Sequence, residues 1–208
     1  ALTAGFCSMG AKVIPLGVVP TPAVAYLTRY YKADAGVVIS ASHNPCEYNG
    51  IKFFNSDGYK LSDGIENEIE SYILGEKAIE ELPTHGKVGY VSANHNAVED
   101  YVAFAVSTID CRLDGMKIAV DCANGASYET AFKALNKLGA NVEAIHNTPD
   151  GVNINHMCGS THMESLQAYV TSIGADIGIA FDGDADRMLA VDENGNLIDG
   201  DQIMAACA

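Results

Sequence analysis

A short pattern that occurs twice constrains the fold of this chain more than any other feature. The first pattern is a helix end followed by a glycine and an apolar run, at residues 9–13 and again at residues 138–142. The second is Ala-Asp-x-Gly before an apolar run, at residues 33–39 and again at residues 175–181. Glycine after a helix end, as at Gly10 and Gly139, is typical of the left-handed residue that ends a helix. The apolar runs are short and do not alternate strictly, which is typical of strands buried on both faces of a sheet. The repeat therefore predicts an α/β fold of two tandem similar units, each a mixed, largely parallel sheet flanked by helices, with the active-site cleft between them.

The segments outside the repeat predict the remaining elements. Residues 61–82 have apolar side chains near helical spacing in an acidic sequence, which predicts an amphipathic helix that ends around Gly75 and Pro83. A connector is expected over residues 84–96. The second unit is predicted to contain a strand at 117–121 and a last pair of strands that begins at 177–181. Its helices are predicted at 98–109, 127–138 and 160–173.

The charge balance limits the classes of partner. The 208 residues include 27 acidic and 12 basic side chains, which give a formal net charge of -15. Such a field repels phosphate backbones and anionic lipids, so we expect neither nucleic acid nor membrane partners. Residues 13–28 are uncharged, but three prolines interrupt them and a membrane-spanning helix needs about 20 residues. The six cysteines form no C-x-x-C pair, which predicts a reduced, cytoplasmic protein.

A polar loop after the strand at 37–39 provides the first candidate site. Pro45 disfavours helical backbone at Asn44, so Ser42 is expected on a sharply turned loop at the carboxyl end of a strand, where α/β proteins often bind ligands. An ordinary polar turn is the alternative. A serine hydrolase is less well supported, because His43 directly follows Ser42 and no G-x-S-x-G motif is present.

The same loop leads to a lysine on an apolar strand. Lys52 lies between Ile51 and Phe53, an unusual place for a charged side chain. One interpretation is a charge that protects an exposed sheet edge. The functional alternative is a group that transfers protons to and from a hydroxyl, or that holds a phosphate as a point charge.

Three alternating aspartates form the second candidate site. Asp182, Asp184 and Asp186 follow a predicted strand and concentrate carboxylates on one side of an extended segment. Oxygen-only ligands favour Mg²⁺, Mn²⁺ or Ca²⁺. A calcium-binding EF-hand loop would also use Glu193, but Arg187 occupies its glycine position and strands replace its helices. A solvated acidic turn and a phosphatase with an aspartate nucleophile are further alternatives.

The repeat connects these two candidate sites. When residues 33–36 are aligned with residues 175–178, Ser42 falls opposite Asp184, so the two loops are expected to face one cleft. A serine beside a carboxylate metal loop indicates phosphoryl transfer, in which a phosphorylated Ser42 adds one oxygen ligand and the cation neutralises the moving charge.

Three motifs, at residues 39–45, 49–52 and 182–187, resemble the α-D-phosphohexomutase superfamily. The similarity extends over essentially the whole chain and implies an intramolecular phosphotransferase, an isomerase that acts on a phosphosugar. It implies that Ser42 is a phosphoserine that donates a phosphoryl group and recovers one through a hexose bisphosphate. It also implies one Mg²⁺ ion as cofactor, with Mn²⁺ or Ca²⁺ as substitutes.

The resemblance implies roles for further residues. The implied metal ligands are Ser42, through a phosphate oxygen, and Asp182, Asp184 and Asp186. His43 and Lys52 are implied as catalytic acid/base or phosphate-contacting groups. Arg187 and Asn44 are implied as phosphate-binding groups. Ala185 departs from the superfamily, which most often has glycine at this position, and its methyl group restricts the backbone of the loop.

Residues 121–126, 149–155 and 158–162 resemble the bacterial branch of the superfamily that isomerises glucosamine phosphates. That branch makes glucosamine 1-phosphate for UDP-N-acetylglucosamine and cell-wall precursors. An enzyme for mannose or glucose phosphates is an alternative within the superfamily. A non-catalytic module that binds a cation and a phosphosugar is an alternative from another class.

The similarity also predicts how the chain is divided. Residues 1–88 correspond to the C-terminal part of a first domain with the phosphoserine loop, residues 89–199 to a second domain with the metal loop, and residues 200–208 to the start of a third. The apolar helix end at residues 1–10 and a short apolar helix capped by Asp201 predict a segment of a longer protein. We expect this segment to be inactive without the other domains of the same chain.

Overall fold

The computed structural model describes residues 1–79, 81–93 and 96–208. The elements of the first unit are α1 (Leu2–Ser8), α2 (Thr21–Tyr30), β1 (Ala35–Ile39), β2 (Ile51–Asn55) and α3 (Asp63–Ile73). β1 and β2 pair antiparallel, with Ile39 opposite Ile51, whereas the sequence predicts a largely parallel sheet. Residues 40–50 connect the two strands and are too few for the crossover of about a dozen or more residues that a parallel pair requires.

The second unit contains a mixed sheet of five strands. Its elements are α4 (Ala97–Ser107), β3 (Lys117–Asp121), α5 (Thr130–Lys137), β4 (Asn141–Ile145), α6 (Glu164–Ile173), β5 (Ile177–Phe181), β6 (Met188–Asp192), β7 (Leu197–Ile198) and α7 (Gly200–Cys207). The strand order is β4-β3-β5-β6-β7, in which β3 pairs parallel with β4 and β5, and β6 pairs antiparallel with β5 and β7. The predicted class, two tandem α/β units with helices against sheets, is confirmed, and the sheet of the second unit is mixed as predicted.

The glycines of the repeat have the same physical role in both units. Gly10 and Gly139 follow helices with φ of +88° and +97°, a left-handed backbone that favours glycine. Gly36 and Gly178 lie in β1 and β5, where a Cβ would come within 2.1 Å of Thr28 Oγ1 and 2.6 Å of Val170 Cγ2, respectively. Because Gly36 and Gly178 have no side chains, α2 and α6 pack directly against β1 and β5 at these positions. The repeat therefore encodes a helix end and a close contact between helix and strand.

Two apolar clusters hold the helices to the sheets. In the first unit, α2 buries Val24 and Leu27 against Phe54 of β2. In the second unit, α6 buries Leu166 and Val170 against apolar side chains of β3, β5 and β6. Each fully buried aliphatic side chain contributes about 1.5–3 kcal/mol. These contacts fix the carboxyl ends of β1 and β5, where the candidate site loops begin.

The ends of several elements differ from the sequence predictions. α3 ends at Ile73, close to the predicted end at Gly75, which adopts φ +78°, and it does not continue toward Pro83. No residue of α3 is buried, so no packed apolar face extends the helix. Residue 80 of that predicted helix lies outside the described residues, as do residues 94 and 95 of the predicted connector. The predicted helices at 127–138 and 160–173 begin later, at Thr130 and Glu164.

The last helix has a different N-cap from the one predicted. Asp199, not Asp201, accepts a hydrogen bond from the backbone N–H of Gln202, whose side chain in turn accepts from the N–H of Asp199. This reciprocal capping box satisfies two backbone donors at once. Among the helices of the part of the chain that the structure describes, none is both long and apolar enough to cross a membrane.

Candidate active site

The loop after β1 holds Ser42 in a strained conformation that points its hydroxyl toward the second unit. Ser42 has φ +57°, in the left-handed region that costs a non-glycine residue about 1–2 kcal/mol. Ser40 Oγ accepts a hydrogen bond from the Ser42 backbone N–H at 2.9 Å, which stabilises the turn. Ser42 Oγ donates to Asp182 Oδ2 at 2.8 Å. The structure thus joins the two loops that the repeat predicts to face each other.

Residues 182–187, the candidate metal loop, turn the chain back from β5 into the antiparallel strand β6. The Ala185 N–H donates to the carbonyl of Asp182, and the Arg187 N–H donates to Asp182 Oδ1 at 3.1 Å. Ala185 adopts φ +55° at the centre of this turn, a left-handed backbone that residues with a Cβ rarely adopt and that favours glycine. The turn brings carboxylate oxygens of Asp182, Asp184 and Asp186 within 4.8 Å of one another.

The donor set of this loop fits a divalent cation that prefers oxygen. Asp184 is 3% exposed, and its Oδ1 is buried without a hydrogen-bond partner among the described residues. An orphaned carboxylate oxygen in such a place is costly unless a cation contacts it. Three oxygen donors without nitrogen or sulfur favour Mg²⁺, Mn²⁺ or Ca²⁺. The EF-hand alternative is wrong, because strands β5 and β6 flank the loop on both sides.

Lys52 reaches across from β2 and pairs with the aspartates. Its Nζ donates to Asp184 Oδ2 at 2.6 Å and lies 3.5 Å from Asp186 Oδ2. Burial opposes the charged form of Lys52, but the hydrogen bonds and charges of the two aspartates outweigh it and raise the Lys52 pKa. The lysine is therefore a cationic donor at neutral pH, and its position on the strand is explained by this contact.

The aspartates differ in how their charge is compensated. Burial opposes ionisation of Asp184, yet the hydrogen bonds from Lys52 and Thr21 outweigh burial and lower its pKa. Burial raises the pKa of Asp182, despite the hydrogen bond it accepts from Ser42. A bound cation would favour the ionised form of Asp182 and so lower its pKa toward that of Asp184.

The candidate phosphate-binding residues lie on the exposed side of the same site. Arg187 Nη2 donates to Ser42 Oγ at 2.6 Å and lies 3.0 Å from His43 Nδ1. Arg187 Nε also lies 3.4 Å from Asp182 Oδ2 and from Asp186 Oδ1, but the side chain is 57% exposed, so its guanidinium is accessible to an anion brought to Ser42. Asn44 is exposed too, but its hydrogen bonds are made by the backbone: its N–H donates to the Ala41 carbonyl and its carbonyl accepts from Asn155.

Thr21 and Asn155 were not predicted as site residues. The Thr21 hydroxyl donates to Asp184 Oδ2 at 2.6 Å and its N–H donates to the Asp184 carbonyl, so the N-terminus of α2 is fixed to the metal loop. Asn155 Nδ2 donates to the carbonyls of Ser42 and Asn44, each at 2.9 Å. The sequence signals are weak, since Thr21 begins a helix beside two prolines and Asn155 ends a segment of turn residues.

A second cluster of polar residues lies at the ends of β3 and β4. Asp121 accepts hydrogen bonds from the N–H groups of Ala123 and Gly159 and contacts His146 Nδ1 at 2.9 Å. Burial raises the pKa of the neighbouring Cys158 to about 11, which keeps that thiol protonated. Both carboxylate oxygens of Asp121 are thus used in contacts that connect the segments after β3 and β4 to Gly159.

A cavity of about 990 Å³ lies on the other side of the serine loop, between β1, α2 and residues 10–19. Ser42 and Asp184 contribute to its wall, but Lys52 and Arg187 do not. Its lining is mainly apolar and includes Lys12 and Lys32, but it excludes Lys52 and Arg187, the cationic side chains that contact the aspartates and Ser42. The exposed face with Arg187, His43 and Lys52 is therefore the face suited to an anionic ligand.

The fold and the site together define a class of protein. The model of phosphoglucomutase/phosphomannomutase α/β/α domain I matches residues 1–80, and the model of α/β/α domain II matches residues 97–195. The chain belongs to this phosphohexomutase family. Among curated proteins it is similar to phosphoglucosamine mutases, with 63% identity over 204 residues to that of Acetivibrio thermocellus and 62% over 207 residues to that of Clostridium acetobutylicum.

These matches cover nearly all of this chain and less than half of each relative. The Acetivibrio match covers 98% of this chain and 45% of the relative, and the Clostridium match covers 100% and 46%. The crystal structure of a phosphoglucomutase/phosphomannomutase family protein from Burkholderia thailandensis aligns with a TM-score of 0.77 at 27% identity, covering 95% of this chain and 43% of that one. The chain thus spans about half the length of the proteins it matches.

Proposed function

We propose that this chain carries the phosphoserine and metal loops of a phosphoglucosamine mutase, whose complete form interconverts glucosamine 6-phosphate and glucosamine 1-phosphate. The observation that carries the proposal is the hydrogen bond of Ser42 Oγ to Asp182, within the aspartate cluster and under Arg187. The identity of 62–63% to phosphoglucosamine mutases favours this sugar. We assign residues 1–88 to the first domain, 89–199 to the second and 200–208 to the start of a third. The six free cysteines support a cytoplasmic location.

In the proposed reaction Ser42 Oγ carries the phosphoryl group. The bond between Oγ and phosphorus breaks and a bond from phosphorus to the free sugar hydroxyl forms. That hydroxyl gives its proton to a base, for which His43 is the candidate, and the released Ser42 oxygen takes up a proton. The resulting hexose bisphosphate reorients, and its other phosphate returns to Ser42 by the reverse steps. Mg²⁺ held by Asp182, Asp184 and Asp186 would neutralise charge on the transferring group.

The remaining side chains act on the same group from the exposed face. Arg187, 2.6 Å from Ser42 Oγ, is placed to donate to oxygens of the phosphoryl group and to stabilise charge there. Lys52 adds a second cationic donor near Asp184. His43, beside Arg187, is the candidate for taking and returning the proton of the sugar hydroxyl.

An enzyme for mannose or glucose phosphates is the second candidate, because the matching family models are named for phosphoglucomutase and phosphomannomutase. We would compare the complete protein on glucosamine, glucose and mannose phosphates. The proposal predicts the highest kcat/KM on glucosamine phosphates. A preference for mannose or glucose phosphates would contradict it, and binding by calorimetry without turnover would instead support a non-catalytic module.

The phosphoserine step is tested by phosphopeptide mapping of the complete protein, as purified and after incubation with a hexose bisphosphate and Mg²⁺. We expect phosphate on Ser42, and we expect Ser42→Ala to abolish turnover. Ser107→Ala is the matched control, because its hydroxyl bonds only to the Phe104 carbonyl on an exposed helix face, so wild-type activity is expected. Turnover by the Ser42→Ala protein would exclude the mechanism.

The metal site is tested by Asp184→Asn, which keeps the shape of the side chain and removes its charge. We expect weaker Mg²⁺ binding by calorimetry and a lower rate at a given Mg²⁺ concentration. Glu193→Gln is the control, since this exposed residue would be a ligand only in an EF-hand loop. Mg²⁺ dependence that is unchanged in Asp184→Asn would assign the metal to another place.

A further inference from the structure

The carboxamide of Asn155 connects the backbone of the serine loop to the second unit. Nδ2 donates one hydrogen to the carbonyl of Ser42 and the other to the carbonyl of Asn44, each at 2.9 Å. The Asn155 backbone N–H donates to the carbonyl of Ala123 at 2.9 Å. The residue is 7% exposed. Both side-chain hydrogens are therefore used on the turn that carries Ser42 Oγ, and the backbone is fixed to the loop after β3.

The chemistry of this contact restricts which residue can make it. Two carbonyls need two hydrogens from one side chain, and a neutral –NH₂ group supplies them without a buried charge. Asn155 has φ +57°, and asparagine and aspartate tolerate this left-handed backbone better than most residues. An aspartate in the same place would keep the backbone preference but face both carbonyls with acceptor oxygens only.

The same contact adjoins the metal loop. A Cβ on Gly183, between two of the candidate metal ligands, would lie 2.6 Å from Asn155 Nδ2 and 2.7 Å from the Ser42 carbonyl oxygen. The Gly183 carbonyl in turn accepts from the Ala126 N–H. The serine loop, the carboxamide and the metal loop therefore meet without space between them, so a shift of one is passed to the others.

We propose that Asn155 is a positioning residue for phosphoryl transfer, which holds the Ser42 turn so that Ser42 Oγ stays against the aspartate cluster. The inference rests on the proposed function and adds a residue that acts through the backbone of Ser42 rather than on the substrate. Loss of the two hydrogen bonds lets the turn move away from Asp182, and displacements of about 1 Å can reduce a rate by about 100-fold.

The test compares Asn155→Asp with Asn153→Asp in the complete protein. Asn153 is two residues away and its carboxamide donates to the Thr148 carbonyl, so its variant also loses a donor but leaves the serine loop untouched. For Asn155→Asp we expect kcat to fall about 10–100-fold with KM changed less than about threefold. Amide hydrogen exchange in residues 40–50 should become faster, with protection of β3 and β5 retained. Asn153→Asp should match the wild-type protein in both measurements.

A second variant keeps the test decisive if Asn155→Asp does not fold. Asn155→Ser retains one donor hydrogen without a charge and should show a smaller fall in kcat and the same local increase in exchange. Wild-type kcat in a folded variant overturns the inference, with or without faster exchange. A fall in kcat with unchanged exchange in residues 40–50 overturns it as well. If the wild-type protein has no mutase activity, the proposed function fails, and the exchange data then decide whether Asn155 holds the turn.

Discussion

Replacing Gly183 with alanine tests how closely the two units approach at the site. The added Cβ would meet the Ser42 carbonyl oxygen at 2.7 Å, Asn155 Nδ2 at 2.6 Å and Ile154 Cδ1 at 2.9 Å. An ordinary contact begins near 3.4 Å, so the backbone of Ser42 must move by about 0.7 Å, the difference between 3.4 and 2.7 Å. Overpacking of this kind costs about 1–3 kcal/mol of the free energy of unfolding.

The assay is thermal and urea unfolding of the 208-residue chain, followed by circular dichroism. For a domain of this size, 1 kcal/mol corresponds to about 2–4 °C, so we expect the Tm of Gly183→Ala to fall by about 2–12 °C. Gly64→Ala is the matched control, because Gly64 lies in helix α3 and its Cβ would meet no atom within 4 Å. Alanine is the better helix former, so the control should gain about 0.5–1 kcal/mol.

The two variants should therefore change stability in opposite directions, although both add the same methyl group. A Gly183→Ala chain that unfolds at or above the wild-type temperature would refute the close approach of the Ser42 carbonyl to the metal loop. It would also remove the packing argument for Asn155, since both depend on the same contact.

Three further perturbations test separate features. Ala185→Gly should increase the free energy of unfolding by about 0.5–1 kcal/mol and so raise the urea midpoint, because relief of the backbone strain at φ +55° outweighs the added freedom of the unfolded chain. A lower midpoint would contradict this. Burial raises the pKa of Cys158 to about 11 and that of Cys122 to about 12, so at pH 8 mass spectrometry should find both alkylated at least about 100-fold more slowly than exposed Cys111, and equal rates would argue against it. Two lysines of α5 lower the pKa of Glu99 from 4.5 to about 2, so its contribution to stability is complete above pH about 5 and is lost as the pH falls toward 2. The difference in urea midpoint between wild type and Glu99→Gln should shrink over that range, and a difference that grows in acid would rule out the ion pairs.

The strands were the most predictable part of the fold. The predicted strands at 117–121 and 177–181 match β3 and β5 residue for residue, because each is a short apolar run bounded by glycine or aspartate and buried in the centre of the sheet. The end of α3 was predicted less sharply, around Gly75 and Pro83, and the helix ends at Ile73. None of its residues is buried, so the apolar side chains that continue the pattern to residue 82 have no partner surface to extend the helix.

The candidate site was predictable where it depends on the repeat. Ser42 and the aspartates follow equivalent strands, and the repeat alone predicts that their loops face each other. Thr21 and Asn155 could not be found this way, because their partners lie 163 and 113 residues away in the sequence and their local patterns are those of an ordinary helix start and turn. Side-chain contacts over such separations are set by the packing of the units, which a local pattern does not encode.

The separation of 140 residues between Ser42 and Asp182 also has a consequence during protein synthesis. A ribosome adds about 5–20 residues per second, so about 7–28 s pass between the synthesis of the serine loop and that of the metal loop. During that interval the nascent chain carries the Ser42 loop without Arg187 or any of the three aspartates, and Asn155 follows Ser42 only after 113 residues. Translation speed between these two loops therefore sets how long the first unit stays open on the ribosome before its hydroxyl has a partner.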